Sequence, residues 1–79
     1  MNKLNVLKQY KLDGLLDIVE IWISNNTYIT PTDKTIIFHN NKGCIMLTDV
    51  RVCYVGEIPY SIPFNRYVIS LDEIKSIDI

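Results

Sequence analysis

Between Cys44 and Val55 the apolar residues follow a two-residue alternation that changes phase halfway along. Ile45 and Leu47 fall on one face of an extended chain, whereas Val50, Val52 and Tyr54 fall on the opposite parity. A flat strand would leave one of these sets in water. A bulge or sharp bend at Asp49, the residue at the switch, returns both sets to a single core. A strand of this kind wraps around a core instead of lying across it, which points to a small, strongly curved β architecture.

The flanking segments agree with that reading. Residues 2–10 place Leu4, Leu7 and Lys8 on one helical stripe, predicting a short N-terminal helix that ends near Gly14. Residues 18–23 are dense in β-branched and aromatic side chains, with Val19, Ile21 and Ile23 on one face and Ile18, Glu20 and Trp22 on the other. A helix over residues 13–23 is the competing expectation. Asn25-Asn26 supplies residues that tolerate positive φ in a tight turn. Residues 27–30 read as extended, 31–33 as a loop and 34–39 as a second strand. Asn40-Asn41-Lys42-Gly43 is a turn, and residues 56–63, with two prolines, are a loop. Strands are expected over 64–70 and 74–79, separated by a brief turn at Leu71-Asp72-Glu73. The sum is one domain over residues 1–79: mainly β, a short N-terminal helix followed by a five-stranded, strongly bent small barrel.

Composition bears on how so short a chain is stabilised. Of 79 residues, 48% are apolar, including one Trp, five Tyr and two Phe, more than one small core readily hides. Self-association is the favoured remedy over disulfides or a metal. A net charge of −1 provides no global positive field for nucleic acid or an anionic membrane. No apolar stretch approaches the roughly 20 residues that span a bilayer. Met1-Asn2-Lys3-Leu4-Asn5 lacks the apolar segment of a secretion signal, so a cytoplasmic location with reduced cysteines is expected, and the Asn25-Asn26-Thr27 sequon is discounted. Richness in Asn, Ile, Lys and Tyr suits an AT-rich coding genome, as in a bacterium or a phage.

Catalytic chemistry finds little footing. His39 is the only histidine, and no nucleophile motif accompanies it, so a surface or turn position is the simpler reading. Cys44 and Cys53 stand nine residues apart, unlike the two-to-four spacing of zinc-binding pairs, and read as buried apolar thiols. Asp72 and Glu73 are adjacent and diverge, as in a solvated turn at the start of a short helix. Gly14, Gly43 and Gly56 lie too far apart to form a phosphate-cradling loop. The expectation is a non-enzymatic protein without cofactor or metal. Two surfaces suit binding. The turn His39-Asn40-Asn41-Lys42 offers amide donors, acceptors and a cation, and Tyr60, Phe64, Arg66 and Tyr67 mix aromatic rings with a guanidinium.

Three stretches resemble the Sm/Sm-like (Hfq-like) family. Val19-Glu20-Ile21-Trp22-Ile23-Ser24-Asn25-Asn26 is similar to its opening strand and turn. Ile45-Met46-Leu47-Thr48-Asp49-Val50 resembles its Leu-Val-Leu-x-Asp-Val segment. The run from Tyr67 to Ile77 is similar to its closing strand, short turn and Ile-x-x-Ile. The resemblance implies an Sm-like, SH3-like small barrel whose bent third strand is central, and a ring-type homo-oligomer that binds RNA or a nucleotide. Its pocket would be built from His39, Asn40, Asn41 and Lys42 on one side and Arg66 and Ser70 on the other. The pocket residues depart from the family pattern: Cys44 stands where the family has its base-contacting Asn, and Ser70-Leu71 where it has Arg-Gly. The gap between the first turn and the third strand is also about three residues longer than usual. Weakened RNA or nucleotide binding is therefore expected. The alternative is a protein-interaction module, such as a small phage or bacterial regulator that binds a host protein.

Overall fold

The N-terminal helix forms where a capping residue precedes a pair of leucines. In the computed structural model, which describes residues 2–79, α1 spans Lys3–Leu12 and the side chain of Asn2 accepts from the backbone N–H of Asn5 at 3.2 Å. Leu4 and Leu7 are buried, whereas Lys8 lies in solvent and Tyr10 shares the buried side instead. Gly14, at φ +72°, takes the left-handed conformation that ends the helix.

Six strands follow: β1 (Glu20–Trp22), β2 (Thr27–Thr30), β3 (Ile37–His39), β4 (Cys44–Tyr54), β5 (Tyr60–Ser70) and β6 (Ser76–Asp78). All pairings are antiparallel, and the order across the sheet is β3-β4-β2-β1-β6, with β5 on the other side of β4. The sheet curls strongly around a core that includes Leu7, Ile21, Ile29, Ile45, Val52 and Ile74, with α1 packed against it. Each such side chain contributes about 1.5–3 kcal/mol by leaving water. The chain is mainly β with one short N-terminal helix, and its sheet forms a strongly bent half-barrel.

Asp49 is where the curl is made. Its φ of 51° is the only positive value at a non-glycine position among the described residues. Ile45, Leu47, Val50 and Val52 are all buried, so both parity sets face the core as expected. The device is a bend, not a bulge. Thr48 pairs with Arg66 and Val50 with Phe64, so β4 and β5 each pass one residue through the bend and turn together.

On the other edge of β4 the partner changes at the bend. Thr30 pairs with Arg51 and Ile37 with Leu47, so seven steps of chain run opposite four on β4, and three residues are looped out. Thr35 pins this loop. Fully buried, it accepts from the Thr32 N–H at 2.9 Å and donates to the Asp49 carbonyl at 3.2 Å. The Thr48 hydroxyl accepts from the Ile36 N–H at 2.8 Å.

Several boundaries differ from expectation. Residues 16–18 form a 3-10 turn, so Ile18 is half-exposed and the first strand starts at Glu20. The expected second strand over 34–39 shortens to β3, because Thr35 and Ile36 serve the loop, and the extended residues 27–30 pair as β2, giving six strands where five were counted. The turn after β1 needs no positive φ. Asn26 instead holds it through its side chain, accepting from the Ser24 and Thr27 hydroxyls. The loop expected over 56–63 shrinks to 55–59, with Pro63 inside β5. That strand lies at a sheet edge, where proline is tolerated.

Candidate functional site

The turn between β3 and β4 is built by Asn40. Its side-chain oxygen accepts from the backbone N–H groups of Lys42 at 2.9 Å and Cys44 at 3.1 Å. Gly43 supplies the left-handed residue at φ +81° that lets the chain re-enter the sheet. The Gly43 carbonyl then accepts from the Leu71 N–H at 2.8 Å, while Cys44 pairs with Ser70. The turn at 40–43 and the end of the closing segment are thus joined directly, the juxtaposition that the family resemblance implied for residues 40–43 and Ser70.

Roles within that junction differ from expectation. The Asn40 side-chain oxygen is committed to the turn, leaving only its amide N–H₂ to face outward. The Ser70 hydroxyl accepts from the Asp72 N–H at 3.2 Å and caps the 3-10 turn over Leu71–Glu73. Asn41 and Lys42 are exposed at the turn tip, and His39 is exposed at the end of β3. Arg66 does not join them. It pairs with Thr48, four residues before Ser70, roughly 13 Å along β5.

Beside the turn lies an open depression of about 230 Å³, lined mainly by Phe38, His39, Asn40, Cys44, Met46 and Val68. Its floor is apolar: Phe38, Met46 and Val68 form one cross-strand row on the outer face of β3, β4 and β5. Phe38 is 48% exposed and Val68 66%. Sequence reasoning missed this row. Each residue alternates with a core residue, but only the strand register places the three side by side.

The aromatic surface expected from Tyr60, Phe64, Arg66 and Tyr67 does not form. Phe64 and Tyr67 turn inward, edge to face at 5.2 Å, and pack against the core. Burial, then the nearby Tyr54 and Glu73, pushes the Tyr67 hydroxyl above its ordinary pKa. Tyr60 stacks on Tyr54 at 4.6 Å, at the base of the β4–β5 hairpin. Cys44 and Cys53 are half-buried free thiols, not core residues, because the bend at Asp49 turns both to the outer face. The Cys53 sulfur lies 3.8 Å from the Thr30 hydroxyl. Beside it, Tyr28 is raised in pKa by desolvation first and by Cys53 second, and its ring packs 4.6 Å from that of Trp22.

Among the described residues no three His, Cys, Asp or Glu side chains converge as a metal ion would require. No helix of the described chain is long and apolar enough to cross a membrane. Comparison with known protein families, with curated proteins and with solved structures gives no match, so the site rests on its own geometry.

Proposed function

We propose that the protein is a non-enzymatic interaction scaffold that assembles with copies of itself through its free sheet edges. One observation carries the reading. β5 runs for 11 residues, is paired on one side only among the described residues, and has Arg66 as its sole charge. Tyr60, Ile62 and Val68 are exposed along it. Long, apolar, unpaired edges are templates for another strand, and proteins that stay monomeric blunt them with charge or proline, of which β5 has only Arg66 and Pro63. The short β6 offers another edge, and edge-to-edge pairing of unlike strands is heterologous, so it closes into a ring when the rotation permits. Light scattering is expected to give several times the 9.2 kDa chain mass, falling when Val68→Lys places a charge on the edge. A wild-type monomer at every accessible concentration would refute the proposal.

Binding of RNA or a nucleotide is the second reading, favoured by the junction of the Asn40–Gly43 turn with Ser70 beside an exposed Phe38 ring. The Asn41 and Lys42 side chains would meet polar edges or a phosphate there, and Phe38 would stack. Cys44 and Ser70-Leu71 supply neither a base-reading amide nor a guanidinium, and each missing charge-assisted bond costs about 1.5–3 kcal/mol. Oligo-U or oligo-A RNA is therefore expected to bind no tighter than about micromolar and to weaken steeply with salt. Lys42→Ala is the test variant, because Asn40 is needed to hold the turn. No binding even at low salt leaves the depression to a protein partner.

A further inference from the structure

A second surface shares no lining residue with β5 or with the depression. Where α1 ends against the loop at 31–36, Lys8, Lys11, Leu12, Ile36 and Ile37 line a groove of about 320 Å³. Its floor is aliphatic and open: Leu12 is 80% exposed and Ile36 about half. The charged residues of its lining are two lysines. Lys11 is held at the rim by donating to the Asp33 carbonyl at 3.2 Å.

The chain carries a matching projection. Residues 55–59 cap the β4–β5 hairpin and include Glu57 and Ile58, the latter 85% exposed, the most exposed large apolar residue described. The tip is braced. The Tyr54 and Tyr60 rings stack at its base, the Val55 N–H donates to the Asn26 carbonyl at 2.8 Å, and Pro59 restricts the backbone. A braced loop loses little freedom on docking. It cannot reach the groove of its own molecule. Ile37 pairs with Leu47, and the hairpin closes at Tyr54, seven residues further along β4. Even a right-angle turn at Asp49 leaves the two about 18 Å apart at strand rise.

We propose that the groove receives the hairpin tip of a second copy of this chain. Ile58 enters against Leu12, Ile36 and Ile37, and Glu57 lies between Lys8 and Lys11. The contact joins unlike surfaces, so each copy keeps one free groove and one free tip, and copies add head to tail. It does not depend on pairing through β5.

The test uses complementary half-defective chains, made in the Val68→Lys background to silence the β5 edge. Ile58→Asp spoils the tip and keeps the groove; Leu12→Asp spoils the groove and keeps the tip. Both positions are exposed, and thermal melts and circular dichroism check that each variant folds. In sedimentation velocity the Val68→Lys chain is expected to self-associate as concentration rises, and each added substitution to weaken that at least tenfold. A mixture of the two half-defective chains should recover a 1:1 complex of about twice the 9.2 kDa chain mass, through the one intact tip and groove. Glu57→Lys should likewise weaken association, and Lys8→Glu in the same chain should restore it. A monomeric Val68→Lys chain, a mixture that stays monomeric, or association indifferent to Ile58→Asp overturns the proposal.

Discussion

Replacing Asp49 tests how the sheet is bent, because its side chain is exposed while its backbone sits at φ 51°. Little packing is lost on substitution, so the backbone preference dominates the outcome. An L-residue in the left-handed region costs roughly 1–2 kcal/mol, least for Asp and Asn, whose short polar side chains bond locally, and most for β-branched residues. Asp49→Asn is expected to be neutral. Asp49→Gly relieves the strain but adds freedom to the unfolded chain, so the two effects nearly cancel. Asp49→Val is the decisive case. At an ordinary exposed strand position valine is favoured over aspartate by up to about 1 kcal/mol. Here it is expected to destabilise by about 1–2 kcal/mol, an effect of opposite sign. For a domain of this size that lowers Tm by roughly 4–16 °C. Thermal melts and urea titrations at one fixed protein concentration remove the contribution of association. An Asp49→Val chain that melts at or above the wild-type temperature would refute the left-handed bend.

Three further outcomes follow from other contacts. Thr35→Val keeps the shape but strands the Thr32 N–H and the Asp49 carbonyl, costing about 2–3 kcal/mol in urea denaturation, while Thr35→Ser restores most of it. Asn40→Ala removes two bonds to the turn and is expected to cost about 1–2 kcal/mol and to speed amide exchange at Lys42 and Cys44, with Asn40→Asp retaining both bonds. Tyr28 and Tyr67 have folded pKa values above the usual 10.0, so above that pH the folded chain holds protons that the unfolded chain releases. Their contribution is fully present below pH 10 and is lost as pH rises toward the folded values, so the Tyr28→Phe, Tyr67→Phe chain should show a flatter alkaline decline in urea midpoint than the wild type.

Alternation along one strand is a local property, and what depended on it could be read directly. The phase change between Leu47 and Val50 located the bend at Asp49, because only a turn of the backbone buries both sets. Leu4 and Leu7 on a helical stripe, and a glycine just beyond the helix, marked α1 for the same reason: hydrophobic period and φ tolerance belong to the residues themselves. The closeness of the 40–43 turn to Ser70 and Leu71 came from the family resemblance, since no spacing in a single chain reports which strands pair.

The rest was decided by register. Which side chains line the depression depends on Phe38 standing opposite Met46 and Met46 opposite Val68, and a shift of one residue would replace this row with core residues. Thr35 falls in a stretch that reads as strand, yet it serves the loop and is buried there, because three extra residues fold back over the Asp49 carbonyl. Phe64 and Tyr67 turn inward because β5 bends together with β4, a coupling that appears only once the two strands are paired. Sequence by itself determined the periodicities, the helix and the bend, since these are free-energy preferences of single residues and near neighbours. Tertiary structure alone decided the depression, the groove and the free edge, because each is a surface assembled from strands and loops distant along the chain, whose proximity is set by the packing of the whole sheet.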